Sequence, residues 1–488
     1  MKHLIVVDHP KHWNFEIPEV EVVAAKSYLM DSVYSKLKRA RVYNLCKSYR
    51  YQSTGYYVSL LAQARGHTPL PNILTTQDLK TPALVRIVSD ELQRLIQKSF
   101  LTIQSDEFVL SIYFGKNLAK KYDSLSKRLF QEFRAPFLRA LFQKKDGEWL
   151  LQSVKTIPSD EIPVDHRAFA VEMAREYFKK GKRPIVKKDY RYDLAILVNP
   201  DEEFPPSDPK AIQKFIKAAE SIGFYTELIT REDYSRINEF DALFIRETTS
   251  VNHHTYRFAR RAMAEGLTVI DDPESILRCT NKVYLAELLS KHGVPMPQTE
   301  IINSDNAAEA LEKLGLPCIL KQPDSSFSQG VVKATTPEEY KQWTSRLFEK
   351  SDLLIAQVFI PTDYDWRVGI LNNQPIYACR YHMAKNHWQI YKRTGDGKTH
   401  SGNSDTIPVD QVPEHVIKHA LKASSLIGNG LYGVDLKERG GEIFVIEIND
   451  NPNIDSGFED FLLKDRLYEL IMDEFMRRIE ERKGVAAK

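Results

Sequence analysis

Residues 433–449 leave the backbone few choices. Gly433-Val434-Asp435-Leu436-Lys437 and Phe444-Val445-Ile446-Glu447-Ile448-Asn449 are short apolar runs separated by Glu438-Arg439-Gly440-Gly441-Glu442. Such runs about a glycine pair read as strand, tight turn, strand. Side chains alternate along a strand, so Glu447 and Asn449 share one side, and the hairpin brings Asp435 alongside them. Two carboxylates and an amide oxygen suit a hard divalent cation, above all Mg²⁺ held partly by substrate phosphates. Alone, such a trio is more often the solvent face of a hairpin. The rest of the chain reverses that reading.

At 488 residues the chain exceeds a single core and calls for two to four domains. A composition 42% hydrophobic and 27% charged excludes long disorder. With 68 Lys and Arg against 66 Asp and Glu, no global charge argues for nucleic acid or membrane. Cys46, Cys279, Cys318 and Cys379 show no C-x-x-C spacing and read as reduced thiols of a cytosolic protein. Leu4-Ile5-Val6-Val7 is too short for a signal-peptide core, and no apolar run approaches a membrane span. The expectation is a cytoplasmic protein.

Three blocks follow along the chain. The first, 1–185, opens with a strand at 3–7 and predicts a helix over 56–65 that stops at Gly66. Ser53-Thr54-Gly55 ahead of that helix is an N-cap, or an anion site. The basic run Lys179-Lys180-Gly181-Lys182-Arg183 reads as a solvated linker. The second block, 190–272, alternates strands (194–198, 225–229, 242–245) with helices (209–223, 254–266), which implies a small parallel sheet. Ligands bind beyond the carboxyl ends of such strands. Arg246 and Thr248, in Arg246-Glu247-Thr248-Thr249-Ser250, are therefore candidate substrate residues. The third block, 273–488, holds the chemistry.

There, Asn281-Lys282 opens a helix, and Lys321 ends the strand Cys318-Ile319-Leu320. A small-residue loop follows, with Ser326, Gln329 and Gly330 ahead of Val331-Val332. Strand, lysine and flexible loop can drape backbone N–H groups over phosphates while an ammonium neutralises them. The strand 353–360, with Gln357, Val358 and Phe359, can offer an adenine edge its backbone groups, and Asp365 is placed for ribose hydroxyls. Arg367 supplies fixed charge for phosphates, and Arg380 follows on the next strand.

In order and spacing these residues resemble the ATP-grasp superfamily, most closely the RimK-type α-L-glutamate ligases. The likeness rests on Asn281-Lys282, Pro317-Cys318-Ile319-Leu320-Lys321, Ala356-Gln357-Val358-Phe359-Ile360, Asp365-Trp366-Arg367, Gly433-Val434-Asp435 and Glu447-Ile448-Asn449-Asp450-Asn451-Pro452. It spans roughly 271–457. The second block resembles the pre-ATP-grasp domain, and the first, through Ser48-Tyr49-Arg50-Tyr51-Gln52, the extra N-terminal domain of some RimK-like proteins.

The resemblance implies a multidomain α/β and α+β chain. It would comprise an N-terminal α/β domain, a small parallel-sheet pre-ATP-grasp domain and an ATP-grasp fold of two α+β subdomains. It implies ATP phosphates on Lys282 and Lys321, adenine at Gln357, Val358 and Phe359, and ribose on Asp365. Asp435, Glu447 and Asn449 would hold two Mg²⁺ ions, with Mn²⁺ as an alternative. Arg367 and Arg380 would be catalytic, stabilising the transferring phosphoryl group, and Asn451 and Asn453 would reach the acceptor. Two departures stand out. Ser325 and Ser328 occupy positions where RimK loops carry glycine. Lys385-Asn386-His387-Trp388-Gln389 lies where those enzymes have an arginine beside an asparagine, and Gln389 cannot supply that cation, which leaves Lys385.

The implied reaction is ATP-dependent carboxylate–amine ligation through an acyl-phosphate. It needs positioning and charge neutralisation but no enzyme nucleophile. The expected substrates are amino acids or peptides, a protein C-terminal tail included, with glutamate as the family's usual donor. A homo-oligomer is left open. The rival reading is an ATP-binding regulatory or interaction protein whose ATP-grasp core no longer turns over.

Overall fold

Leu4, Ile5, Val6 and Val7 are all buried, so the first strand can only be central in its sheet. The structure, a computed structural model, describes residues 2–13, 17, 20–37, 40–180, 190–324, 330–384, 387–393 and 399–484. The chain divides into two compact units, Met1–Lys188 and Asp189–Lys488.

In the first unit, strands Val20–Ala24, Lys2–Val7, Ala40–Asn44 and Thr68–Leu70 form a parallel sheet in that spatial order. Leu4, Val6 and Val42 pack on one face against Ala25, Tyr28, Val58 and Ala62 of two helices. Ile5, Val7 and Tyr43 join the core on the other face, shared with an antiparallel sheet of Glu107–Tyr113, Phe137–Lys145 and Glu148–Thr156. The helix expected over 56–65 runs Thr54–Ala64, two residues early, because Ser53 caps it. The Ser53 hydroxyl accepts from the Tyr56 amide at 3.4 Å and donates to the Ser48 carbonyl at 2.7 Å. Those bonds are an N-cap's. Most of the basic run, from residue 181, lies outside the described residues.

The second unit begins with a parallel sheet in the order Thr268–Ile270, Ala242–Ile245, Tyr192–Leu197, Phe224–Ile229. Asp208 caps the helix Pro209–Ser221, which buries Ile212, Phe215, Ala218 and Ala219. The helix Asp465–Arg482, far along the chain, joins the same core: Tyr468 meets Phe215 at 4.7 Å and Phe475 meets Phe244 at 5.4 Å between ring centroids. Two antiparallel sheets follow. The smaller runs Thr299–Ile302, Leu354–Val358, Cys318–Lys321, Val331–Ala334, and the larger Ser404–Ile407, Gln374–His382, Tyr364–Leu371, Leu431–Arg439, Glu442–Asn449. The last two strands are the expected hairpin, and Gly440 (φ 60°) and Gly441 (φ 83°) make its turn in the left-handed region. All four cysteines are buried and free. No helix among the described residues is long and apolar enough to cross a membrane.

Candidate functional site

Between the two antiparallel sheets lies a cleft of about 930 Å³, also lined by loops that follow strands of the parallel sheet. Alternation on Tyr364–Leu371 decides what enters it. Trp366 and Val368 turn into the core, so Asp365 and Arg367 face the cleft. Arg367 pairs in register with Asp435, and Asp435 with Glu447. Asn449 lies opposite Gly433 one pleat further on. A bulge after Asp435 leaves Ile446 outside the register and on the cleft lining.

The charges are paired. Arg367 grips Asp435 with two bonds, Nε to Oδ1 at 2.5 Å and Nη2 to Oδ2 at 2.8 Å. Lys282 Nζ lies 2.8 Å from Glu447 Oε1, and Lys437 Nζ 2.5 Å from Asp365 Oδ1. Burial pushes the Asp435 carboxyl up, more than Arg367 draws it down. Burial acts on Glu447 too, but Lys282, Lys321 and Arg367 together hold it low. The Lys321 ammonium, 7% exposed, is lowered to about 8 by burial, with Lys282 and Lys437 adding to that and Glu447 opposing.

Among the described residues no cluster of three His, Cys, Asp or Glu side chains is placed to hold a metal ion. The hairpin instead offers two carboxylates and an amide, a donor set that fits a hard cation completing its shell with phosphate oxygens. Each carboxylate has a cationic partner, Arg367 for Asp435 and Lys282 for Glu447.

The helix Lys282–Lys291 begins at the cleft, with Lys282 on its lining. Asn281 caps it, accepting from the Tyr284 amide, and donates to Asp324 at 3.1 Å. That ties the helix to the first residue of the serine-rich loop. Gly330 closes the loop at φ 72°, where a Cβ would come 2.5 Å from Gln322 Oε1. Ser326, Gln329 and Lys385 lie outside the described residues. Gln357 lines the cleft and donates to Thr299 Oγ1 at 2.8 Å.

Several expected residues stand differently. The amides of Val358 and Phe359 donate to the carbonyls of Gln298 and Pro317, so neither is open to an adenine edge. Arg380 pairs with Trp366 and shares its face of the sheet, away from Arg367. Its guanidinium lies 5.2 Å from the Tyr364 ring centre and bonds Asp405 at 2.5 Å. Tyr381, the next residue, faces the cleft instead and donates its hydroxyl to Glu459. Arg246 is 1% exposed, and all its nitrogens bond protein: Nη1 to Asn451 Oδ1 at 2.7 Å, Nη2 to the Pro206 and Pro452 carbonyls, Nε to Ser207 Oγ. It pins the segment at 206–207 to Asn451 and Pro452, and its nitrogens are all engaged there.

Thr248, Gln389, Asn451 and Asn453 do line the cleft. The Thr248 amide donates to Glu202 at 3.1 Å, and Asn451 Nδ2 donates to the Glu247 carbonyl at 2.7 Å. Lys437, Tyr381 and Ile446 are lining residues that sequence reasoning misses. Lys437, two residues past Asp435, carries a readable period-two signal.

The chain belongs to the ATP-grasp superfamily: residues 279–463 match the RimK-like ATP-grasp domain. Within it, the chain is a RimK-like protein with a RimK-like ATPgrasp N-terminal domain, matched at 25–173. Between them the two matches cover more than half of the chain. The alpha-aminoadipate–LysW ligase LysX of Saccharolobus solfataricus is 27% identical over 45% of this chain and 78% of its own length. A probable alpha-L-glutamate ligase of Parasynechococcus marenigrum is 25% identical over 50% of this chain and 51% of its own. A D-alanine–D-alanine ligase of Bacillus anthracis complexed with ATP overlays 59% of this chain and 98% of its own, at 16% identity and TM-score 0.47. The chain is an ATP-grasp carbon–nitrogen ligase.

Proposed function

We propose that the protein activates a substrate carboxylate as an acyl-phosphate at the expense of ATP and passes the acyl group to an amine. The observation that carries this reading is the run of paired residues Arg367, Asp435 and Glu447 across three adjacent strands, in one cleft with Lys282 and Lys321. Bound at Asp435, Glu447 and Asn449, two Mg²⁺ ions, or Mn²⁺ in their place, would neutralise the phosphate charge and hold the γ-phosphate in line. With its carboxylate partner engaged elsewhere, the Arg367 guanidinium turns to the transferring phosphoryl group. Lys282, released from Glu447, and the buried Lys321 do the same for the other phosphates. Asp365 takes ribose, and Gln357 with the carbonyls near Val358 takes adenine.

The names of the relatives support amino-acid-like substrates, joined to an amino acid, a peptide or a protein tail. We read 190–272 as the pre-ATP-grasp domain, 273–488 as the ATP-grasp domain and 1–185 as the RimK-associated domain. The test is ADP release from ATP and Mg²⁺ with pairs of acids and amines, followed by mass spectrometry of the products. ADP released together with a dehydrated conjugate is the expected result. ATP binding without turnover on any pair would instead favour a regulatory protein.

A further inference from the structure

We propose that the amine substrate is a cation on an apolar stem, such as a diamine or the side chain of a basic amino acid, and that acidic amino acids are disfavoured in that role. The inference rests on the ligase reading of the cleft and narrows it.

The wall away from the nucleotide sheets is built from 202–206, 248–250 and 450–459. Its two halves are fastened together, Ser207 Oγ to the Ile454 carbonyl at 2.8 Å and Thr249 Oγ1 to Asp450 Oδ2 at 2.8 Å. Glu202 and Glu203 line it, together with Asp455, which accepts from the Asp208 amide, and the buried Glu459, which accepts from the Tyr381 hydroxyl and the Asp455 amide. The described lysines and arginines lining the cleft belong to the nucleotide side, and none comes from this wall. Arg246, the nearby arginine, is buried with its nitrogens on protein acceptors.

Carboxylates alone would be an ambiguous signal. The same wall also carries two aromatic rings, Phe204 (36% exposed) and Phe458 (55% exposed). Ring faces and carboxylates together suit an ammonium at the end of an alkyl chain, which the rings cover while the acids meet the charge. An amine bearing its own carboxylates would set like charges together, and such juxtaposition rejects a partner. The two glutamates divide the work: Glu202 is held by the Thr248 amide, and Glu203 is exposed at the rim.

The test is a calorimetric titration of the full chain, saturated with Mg²⁺ and a non-hydrolysable ATP analogue, with 1,5-diaminopentane and with glutamate. The diamine is expected to bind at least tenfold more tightly than glutamate. Glu203→Gln, at an exposed position, and the double variant with Glu202→Gln should weaken the diamine progressively without changing affinity for the analogue. Equal or tighter glutamate binding, no diamine binding, or diamine binding untouched by both variants would overturn the inference. ADP release reports on the ligase reading separately. Turnover with glutamate as the amine would keep the ligase and remove the cationic substrate, whereas selective diamine binding without turnover on any acid would do the reverse.

Discussion

Arg367 and Asp435 face each other across adjacent strands and close a two-bond ion pair inside the cleft. A residue proposed to hold a cation is thus held by one already. Through this pair the buried Asp435 carboxylate has a cationic partner.

Arg367→Met would leave that carboxylate alone. Removing one partner of a buried pair costs about 3–5 kcal/mol, so the denaturation midpoint should fall clearly. ADP release should drop by about 10²–10³-fold, as when a transition-state donor is removed. Millimolar Mg²⁺ should raise the midpoint of the variant more than that of the unsubstituted protein. A midpoint indifferent to Mg²⁺ would remove Asp435 from the cation site.

Lys321 predicts a pH dependence. Its ammonium titrates near 8 in the folded protein, because burial penalises the charge. Phosphate needs the charged form, so KM for ATP should be level below pH 8 and rise above it, by up to about tenfold per unit. Stability moves the other way. A lysine whose pKa is lowered by folding binds its proton more weakly than in the unfolded chain. It therefore destabilises at low pH, and that penalty fades as pH rises from about 8 to about 10.4. Lys321→Arg should abolish the KM trend, since guanidinium stays charged.

Arg380→Ala should leave ADP release within a few-fold of normal. The side chain lies across the sheet from Arg367, and an exposed pair with Asp405 is worth about 0–1 kcal/mol. A loss comparable with that of Arg367→Met would mean that the strand turns over during the reaction.

Asp365→Ala should raise KM for ATP more than it lowers kcat, by a factor corresponding to about 1–3 kcal/mol for a lost hydrogen-bond partner. The bonds from Lys437 and Thr362 both fall on Oδ1. Steady-state kinetics decide it: an unchanged KM would move the ribose elsewhere.

Gly433→Ala tests how closely the hairpin packs behind Arg367. A Cβ there would come 2.7 Å from the Pro452 Cβ and 3.0 Å from the Arg367 Cδ. Overpacking of this kind costs about 1–3 kcal/mol. Thermal denaturation should show that loss, and kcat should fall with it as the guanidinium is displaced.

What could be read from sequence was local. The hairpin is written in period-two alternation and a glycine pair, and Asn281 declares its cap beside Lys282. Lys437 obeys the same period, yet nothing nearby separates it from a surface lysine until Asp365 arrives from another strand. Arg380 fails for a related reason: which face it takes depends on its register with Trp366. Arg246 resembles a substrate residue until Asn451, 205 residues away, claims its guanidinium. Such facts belong to the tertiary fold, and sequence spacing does not encode them.

The long return of the chain has a consequence for its birth. Ser207, Asp208 and Lys214 find their partners at Ile454, Asp455 and Asp460, and helix Asp465–Arg482 fills the sheet that begins at Tyr192. A ribosome that has just added Asn449 has made every candidate nucleotide residue. Phe215 and Phe244 nevertheless still await Tyr468 and Phe475, leaving the early-made sheet, covered on that face by the helix Pro209–Ser221, with part of its apolar face open while the remaining segments emerge. The catalytic unit therefore closes last at its C-terminal end, and only a chain synthesised through that helix can complete it.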